Sequence, residues 1–144
     1  MKNNYSVQFF IIILTLVVVV SCNDSTSPLP ESDTLILNDS NYVELNEFIF
    51  NSNEEIRLSY LNLAEDSRCP FGAVCVWEGN AKVDVAFITE NVTHLLELNT
   101  HSDFQRDTTI NNYYIKLIDV EPYPQLDSSH VNKDGRIKIY ITKN

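Results

Sequence analysis

Apolar side chains recur at every second position along much of this chain, and that period leaves few folds open. Ala81, Val83, Val85 and Phe87 share one parity, Ile137, Ile139 and Ile141 alternate with Lys138, Tyr140 and Thr142, and Tyr113, Ile115 and Leu117 alternate with Tyr114, Lys116 and Ile118. Successive side chains of an extended strand point to opposite faces, so such segments bury one face and wet the other. No window carries a sustained apolar stripe at helical spacing. Further strands are predicted over Asn41 to Phe50, Glu55 to Ala64, Val92 to Leu98 and Thr34 to Leu37. Within Glu55 to Ala64 the apolar parity slips from Ile56, Leu58 and Tyr60 to Leu61 and Leu63, which predicts a bulge or a strand buried on both sides. Asn41 to Phe50 slips in the same way. Asn51-Ser52-Asn53, Glu78-Gly79-Asn80, Glu90-Asn91, Asn111-Asn112 and Lys133-Asp134-Gly135 are turn signals between these runs. About seven short strands predict an all-β domain, an antiparallel β-sandwich or a small barrel.

The first residues obey a different rule. A polar start carrying Lys2 precedes an apolar run that ends at Val19-Val20. From Val7 to Val20 a helix would span about 21 Å, short of the ~30 Å needed to cross a bilayer, so the run reads as an export signal rather than a membrane anchor. It stops at Val19-Val20-Ser21-Cys22, which resembles the lipobox of bacterial lipoproteins. The resemblance implies cleavage before Cys22, a diacylglyceryl group on its sulfur and acylation of its new amino terminus. Ordinary cleavage near Ser21, leaving a free thiol, is the competing outcome. Several acyl chains at ~0.8 kcal/mol per buried CH₂ hold a protein on a membrane where one does not. Asn23 replaces the Asp that favours inner-membrane retention in such lipoproteins and points to the outer membrane. The expected organisation is a lipoprotein signal peptide at 1–21, a lipid-anchored flexible linker at 22–33 and an all-β domain at 34–144. Residues 23–32 hold a single large apolar side chain, Leu29, and stretch to about 30 Å.

One stretch concentrates the unusual residues. Asp66-Ser67-Arg68-Cys69-Pro70, then Cys75-Val76-Trp77-Glu78-Gly79, contains two of the three Cys, the only Trp and two of the three Gly. With Pro122-Tyr123-Pro124 after a later strand, it resembles a family of small, largely uncharacterised secreted bacterial proteins and lipoproteins. Glu78 stands where that pattern more usually has Ala, and a charge there implies a position facing water. If Cys22 carries lipid, Cys69 and Cys75 are the remaining pair, in a compartment where thiols oxidise, and one disulfide is expected. A thiolate metal site is the alternative, but the five residues between the Cys and the lack of a nearby His fit common zinc spacing poorly. A redox-active pair would call for a Cys-x-x-Cys spacing.

Asp66 and Arg68 are expected to pair or to cap the loop backbone; the functional alternative is a ligand carboxylate held by Arg68. Trp77 is expected to cover the disulfide and close the core, or else to anchor a ligand. Asp66, Arg68, Phe71 and Trp77 are therefore the candidate binding residues. Tyr123 is expected to pack under a loop at a rigid strand exit.

With 20 Asp+Glu against 10 Lys+Arg, the formal net charge is −10. That sign argues against nucleic acid and against electrostatic docking on anionic lipid. His94 is placed in a strand, and His101 and His130 on loop surfaces. No hydrolase, zinc-protease or phosphate-loop motif occurs, and no catalytic residue, metal or cofactor is assigned. Three functions are carried forward. The first is a non-enzymatic envelope lipoprotein, on the membrane through Cys22, that binds an envelope protein or small ligand or serves a structural role. The second is an inhibitor of a secreted enzyme acting through the loop 68–75. The third, ranked last, is a metal-dependent or hydrolytic enzyme.

Overall fold

The computed structural model describes residues 34–126 and 135–144. The segments expected to be a signal peptide (1–21) and a linker (22–33), Cys22, His130 and the Lys133-Asp134 turn signal lie outside the described residues. Eight strands form: β1 (Asp39–Glu44), β2 (Phe48–Asn51), β3 (Ile56–Asp66), β4 (Ala81–Thr89), β5 (Val92–Asn99), β6 (Asp107–Ile110), β7 (Tyr113–Glu121) and β8 (Arg136–Lys143). They make two four-stranded antiparallel sheets, ordered β2-β3-β4-β5 and β1-β8-β7-β6. The choice between sandwich and barrel resolves to a sandwich.

The inward parity of each strand fills the space between the sheets. Leu58, Tyr60, Val85 and Phe87 from one sheet meet Ile115, Leu117, Ile137 and Ile139 from the other, all fully buried. The Phe87 and Tyr113 rings pack edge-to-face at 5.6 Å across the interface. The slip of parity after Tyr60 corresponds to two irregularities in the β3–β4 ladder, between Tyr60 and Asn62 and between Leu63 and Glu65. Each extra residue shifts the inward set by one position, as a bulge must.

Three details differ from the sequence expectation. Asn41 to Phe50 is not one strand: Leu45-Asn46-Glu47 turns the chain from one sheet to the other, with Asn46 at φ 66°. Asn adopts that left-handed conformation more readily than most residues, and the slip of parity there marks a change of sheet rather than a bulge. Thr34 to Leu37 makes a single bridge, Thr34 to Phe50, and serves mainly to insert Leu35 into the core. β6 went unpredicted because Asp107-Thr108-Thr109-Ile110 offers one apolar side chain; its pairing with β7 supplies the order instead.

The two ends of the sandwich differ. One end holds the β2–β3 turn, the Glu90-Asn91 hairpin, Asn111-Asn112, and Thr34, where the chain enters the domain. There the Glu54 carboxylate accepts hydrogen bonds from Tyr113 Oη (3.0 Å) and Lys143 Nζ (2.5 Å), joining the two sheets. These two donors, Lys143 first, hold the Glu54 carboxyl below its ordinary value. The opposite end gathers the connections that follow β3 and β5, and residues 122–126 after β7.

Candidate functional site: the stapled loop end

The β3–β4 ladder ends at Asp66 opposite Ala81, and residues 67–80 form the loop above it. The base of this loop is tightly closed. Ser67 N donates to Asn80 O (2.7 Å), Asn80 N donates to Ser67 Oγ (3.2 Å), and Cys69 N donates to Glu78 O (2.9 Å). Gly79 makes that closure possible. Its φ is +80°, and a Cβ there would lie 2.0 Å from the Ser67 carbonyl oxygen.

Cys69 and Cys75 form the expected disulfide, with Cα atoms 6.0 Å apart. The loop it closes is short, so the chain-entropy gain is modest. Replacing both cysteines with Ser is expected to cost about 2 kcal/mol in urea unfolding while the sandwich still forms. A loss above about 4 kcal/mol would mean that the bond supports the core itself.

Arg68 is the centre of the site and is only 6% exposed. Its Nε donates to Asp66 Oδ1 (2.8 Å) and its Nη2 to Asp66 Oδ2 (2.7 Å), a two-pronged ion pair. Its Nη1 donates to the Val120 carbonyl and Nη2 also reaches the Pro122 carbonyl (3.3 Å). The Arg68 backbone N–H donates to Asp66 Oδ1 as well (3.2 Å). The guanidinium lies 4.9 Å from the Tyr123 ring centre, on its face. Arg68 thus fastens the β3–β4 loop to the end of β7. Both alternatives for the Asp66–Arg68 pair are realised at once, and the guanidinium is taken up inside the domain rather than presented to a ligand carboxylate. Beneath it Tyr60 is buried, and that burial pushes its phenol up to about 12.

The loop tip is held from the side. Phe71 N donates to Pro124 O (2.8 Å), and Phe71 bridges Gln125 in parallel. Tyr123 is half-exposed, and the part of the loop that lies on its ring is the Arg68 guanidinium. The β5–β6 connection packs on the other flank. Buried Asn80 donates through Nδ2 to Asn99 Oδ1 (2.8 Å), and its Oδ1 accepts from the N–H groups of Thr100 and His101.

Trp77 departs from expectation. It is 51% exposed, lies outside the hydrophobic core, and sets its ring against His101 at 5.6 Å. The loop base is sealed by main-chain bonds, so the tip projects beyond the core and Trp77 goes with it. His101 is not a free surface residue either. Its side chain is 14% exposed, between Trp77 and Phe104, with Nε2 3.3 Å from the Glu78 carboxylate. Glu78 itself faces water, as its charge implied.

What remains on the outside is an apolar surface on a braced frame. Val74 and Val76 are fully exposed, Phe71 is 73% exposed, and Trp77, Phe104, Tyr123 and Leu126 are each about half exposed or more. Exposed Glu78 and Asp103 stand at its edge. Val76 and Phe104 were not singled out from sequence. The available signal was an apolar residue between Cys75 and Trp77 in a stretch without strand parity. Among the described residues no group of three His, Cys, Asp or Glu comes together as a metal site. A separate cleft of 330 Å³ between β1 and β2, lined by Ile36, Tyr42, Phe48 and Arg136, lies away from this loop. Compared with protein-family models, curated proteins and solved structures, the chain has no match.

Proposed function

We propose that this chain is a lipid-anchored binding module of the bacterial outer membrane, and that it docks a protein through the stapled loop. The observation that carries this reading is the full exposure of Val74 and Val76 on a loop braced by a disulfide, an arginine clamp and a glycine-closed base. Phe71, Val74, Val76 and Trp77 are all exposed within this one loop, and exposed apolar patches commonly mark interaction sites. A braced loop has little conformational freedom left to lose on docking, which favours binding. The placement of the ends supports the same reading. Thr34 enters at the opposite end of the sandwich, so a lipid at Cys22 leaves the loop on the side away from the leash.

Two measurements test it. Mass spectrometry of the protein from its host is expected to find an acylated Cys22 as the first residue. Crosslinking in membranes is expected to recover one stoichiometric protein partner. Val74→Asp with Val76→Asp is expected to abolish that recovery and leave thermal unfolding unchanged, because neither side chain contributes to the core. Equal recovery from the double variant, or no partner at all, would refute docking through the loop.

Inhibition of a secreted enzyme is a second reading, favoured by Phe71 and Val74 both lying exposed within the stapled stretch 68–75. It predicts that the recovered partner is an enzyme whose activity falls on adding this protein and recovers with Phe71→Ala.

A further inference from the structure

Four strands form the sheet edges: β1, β2, β5 and β6. β2 and β6 are four residues long, and the main chain of β2 is partly covered where Leu35 N donates to Phe50 O. β1 carries an acidic residue at each end, Asp39 and Glu44. β5 differs from all three. It runs eight residues, Val-Thr-His-Leu-Leu-Glu-Leu-Asn, with no Pro, no Lys, no bulge in its ladder and a single formal charge, Glu97. Natural sheets usually blunt an edge of that length with one of these devices.

The register shows which backbone groups are open. A two-residue hairpin at Glu90-Asn91 joins β4 to β5, so Thr89 and Val92 exchange hydrogen bonds, and bonded pairs alternate from there. Val92, His94, Leu96 and Leu98 therefore bond to β4, whereas Thr93, Leu95, Glu97 and Asn99 turn their N–H and C=O groups outward. Asn99 N does so, donating to Gln105 O at 2.9 Å. Among the described residues no strand pairs with β5 on that side.

We infer that β5 is a self-association edge, pairing antiparallel with β5 of a second copy about a two-fold axis at Leu95. In that register Leu95 faces Leu95, and each Glu97 faces Thr93 of the second copy, so no like charges meet. The outward groups of Thr93, Leu95 and Glu97 on both copies form about six main-chain hydrogen bonds. Leu95, 75% exposed in the single chain, packs against its counterpart on the outer face. The pattern is self-complementary, as a two-fold interface requires. A shift by two residues would set Leu95 against Glu97 or against Thr93 and would separate the leucines. The contact is smaller than a standard protein interface, so a reversible dimer is expected, with a dissociation constant of about 10–100 μM.

Sedimentation of the full chain in detergent is expected to show the mass doubling with concentration. Leu95→Pro removes an outward N–H that takes no part in the β4 ladder and is expected to leave a folded monomer. Leu95→Lys, which keeps the backbone donor, is expected to raise the dissociation constant at least tenfold. Under oxidation Leu95→Cys is expected to link two copies. Thr93→Cys is not, because its two copies lie about 14 Å apart along the strands, beyond disulfide reach. A chain monomeric up to about 1 mM, a dimer indifferent to both Leu95→Pro and Leu95→Lys, or linkage through Thr93→Cys as rapid as through Leu95→Cys would each overturn the inference.

Discussion

Gly79→Ala is expected to destabilise the domain by about 3–4 kcal/mol, a large effect for one methyl group. The added Cβ would stand 2.0 Å from Ser67 O and 2.6 Å from Arg68 Cα. Both obstacles are backbone, so no rotamer change relieves them. A left-handed φ costs an L-residue roughly 1–2 kcal/mol by itself. Opening the loop base to admit the methyl group would loosen the Ser67–Asn80 and Cys69–Glu78 hydrogen bonds, each worth about 1 kcal/mol. Gly72 is the internal control. Its φ is +89°, but a Cβ there meets nothing within 4 Å. Gly72→Ala should therefore show the backbone cost alone, about 1–2 kcal/mol. Urea unfolding of the two variants side by side separates the contributions. Equal losses at 79 and 72 would mean that the close approach to Ser67 has no energetic weight.

Arg68→Met is expected to cost about 3–5 kcal/mol. Methionine retains most of the aliphatic stem and removes the guanidinium. The loss leaves the Asp66 carboxylate, whose side chain is 17% exposed, without its two-pronged partner, and strips the Val120 and Pro122 carbonyls of a donor. Uncompensated polar groups of this kind account for most of the penalty when one member of a buried pair is removed. Arg68→Lys should recover part of it, about half, because an ammonium supplies charge without the fork that spans Asp66 and β7 together. A double-mutant cycle with Asp66→Asn gives the coupling directly. A loss below 1 kcal/mol for Arg68→Met would show that the clamp does not hold the loop end to β7.

These two variants act on the frame, whereas Val74→Asp and Val76→Asp act on the surface the frame presents. The contrast separates stability from binding. Frame variants should lower the unfolding temperature and loosen docking together; surface variants should abolish docking alone.

Much of the fold was legible because period-two alternation is a local property. The parity of Ala81 to Phe87 specifies a strand with one buried face whatever lies opposite, and the slip after Tyr60 left a bulge or a doubly buried strand, between which the β3–β4 ladder decides. Where the pattern was silent, the reason is equally local. β6 has one apolar residue, so only its pairing with β7 reveals it. The passage of Asn41 to Phe50 between sheets leaves the same slip of parity as a bulge within one sheet, and the left-handed Asn46 is the residue that distinguishes them.

The candidate site divides in the same way. Residue identity pointed to a Cys69–Cys75 bond on the expectation that Cys22 carries lipid, and to Asp66 and Arg68 pairing or capping the loop backbone; the structure joins all four in one braced loop. Which of the surrounding apolar residues are buried was not a local matter. Trp77 and Val76 are as hydrophobic as the residues of the core, yet they stand in water, because bonds between Ser67 and Asn80 close the sandwich beneath them. His101 is drawn in between Trp77 and Phe104 by the buried Asn80, across more than twenty positions of chain. Alternation, turn chemistry and cysteine spacing need only neighbours along the chain, and the sequence alone determined them. Sheet order, the open edge at β5 and the exposed tip above Gly79 depend on contacts between distant segments, and only the tertiary structure decided them.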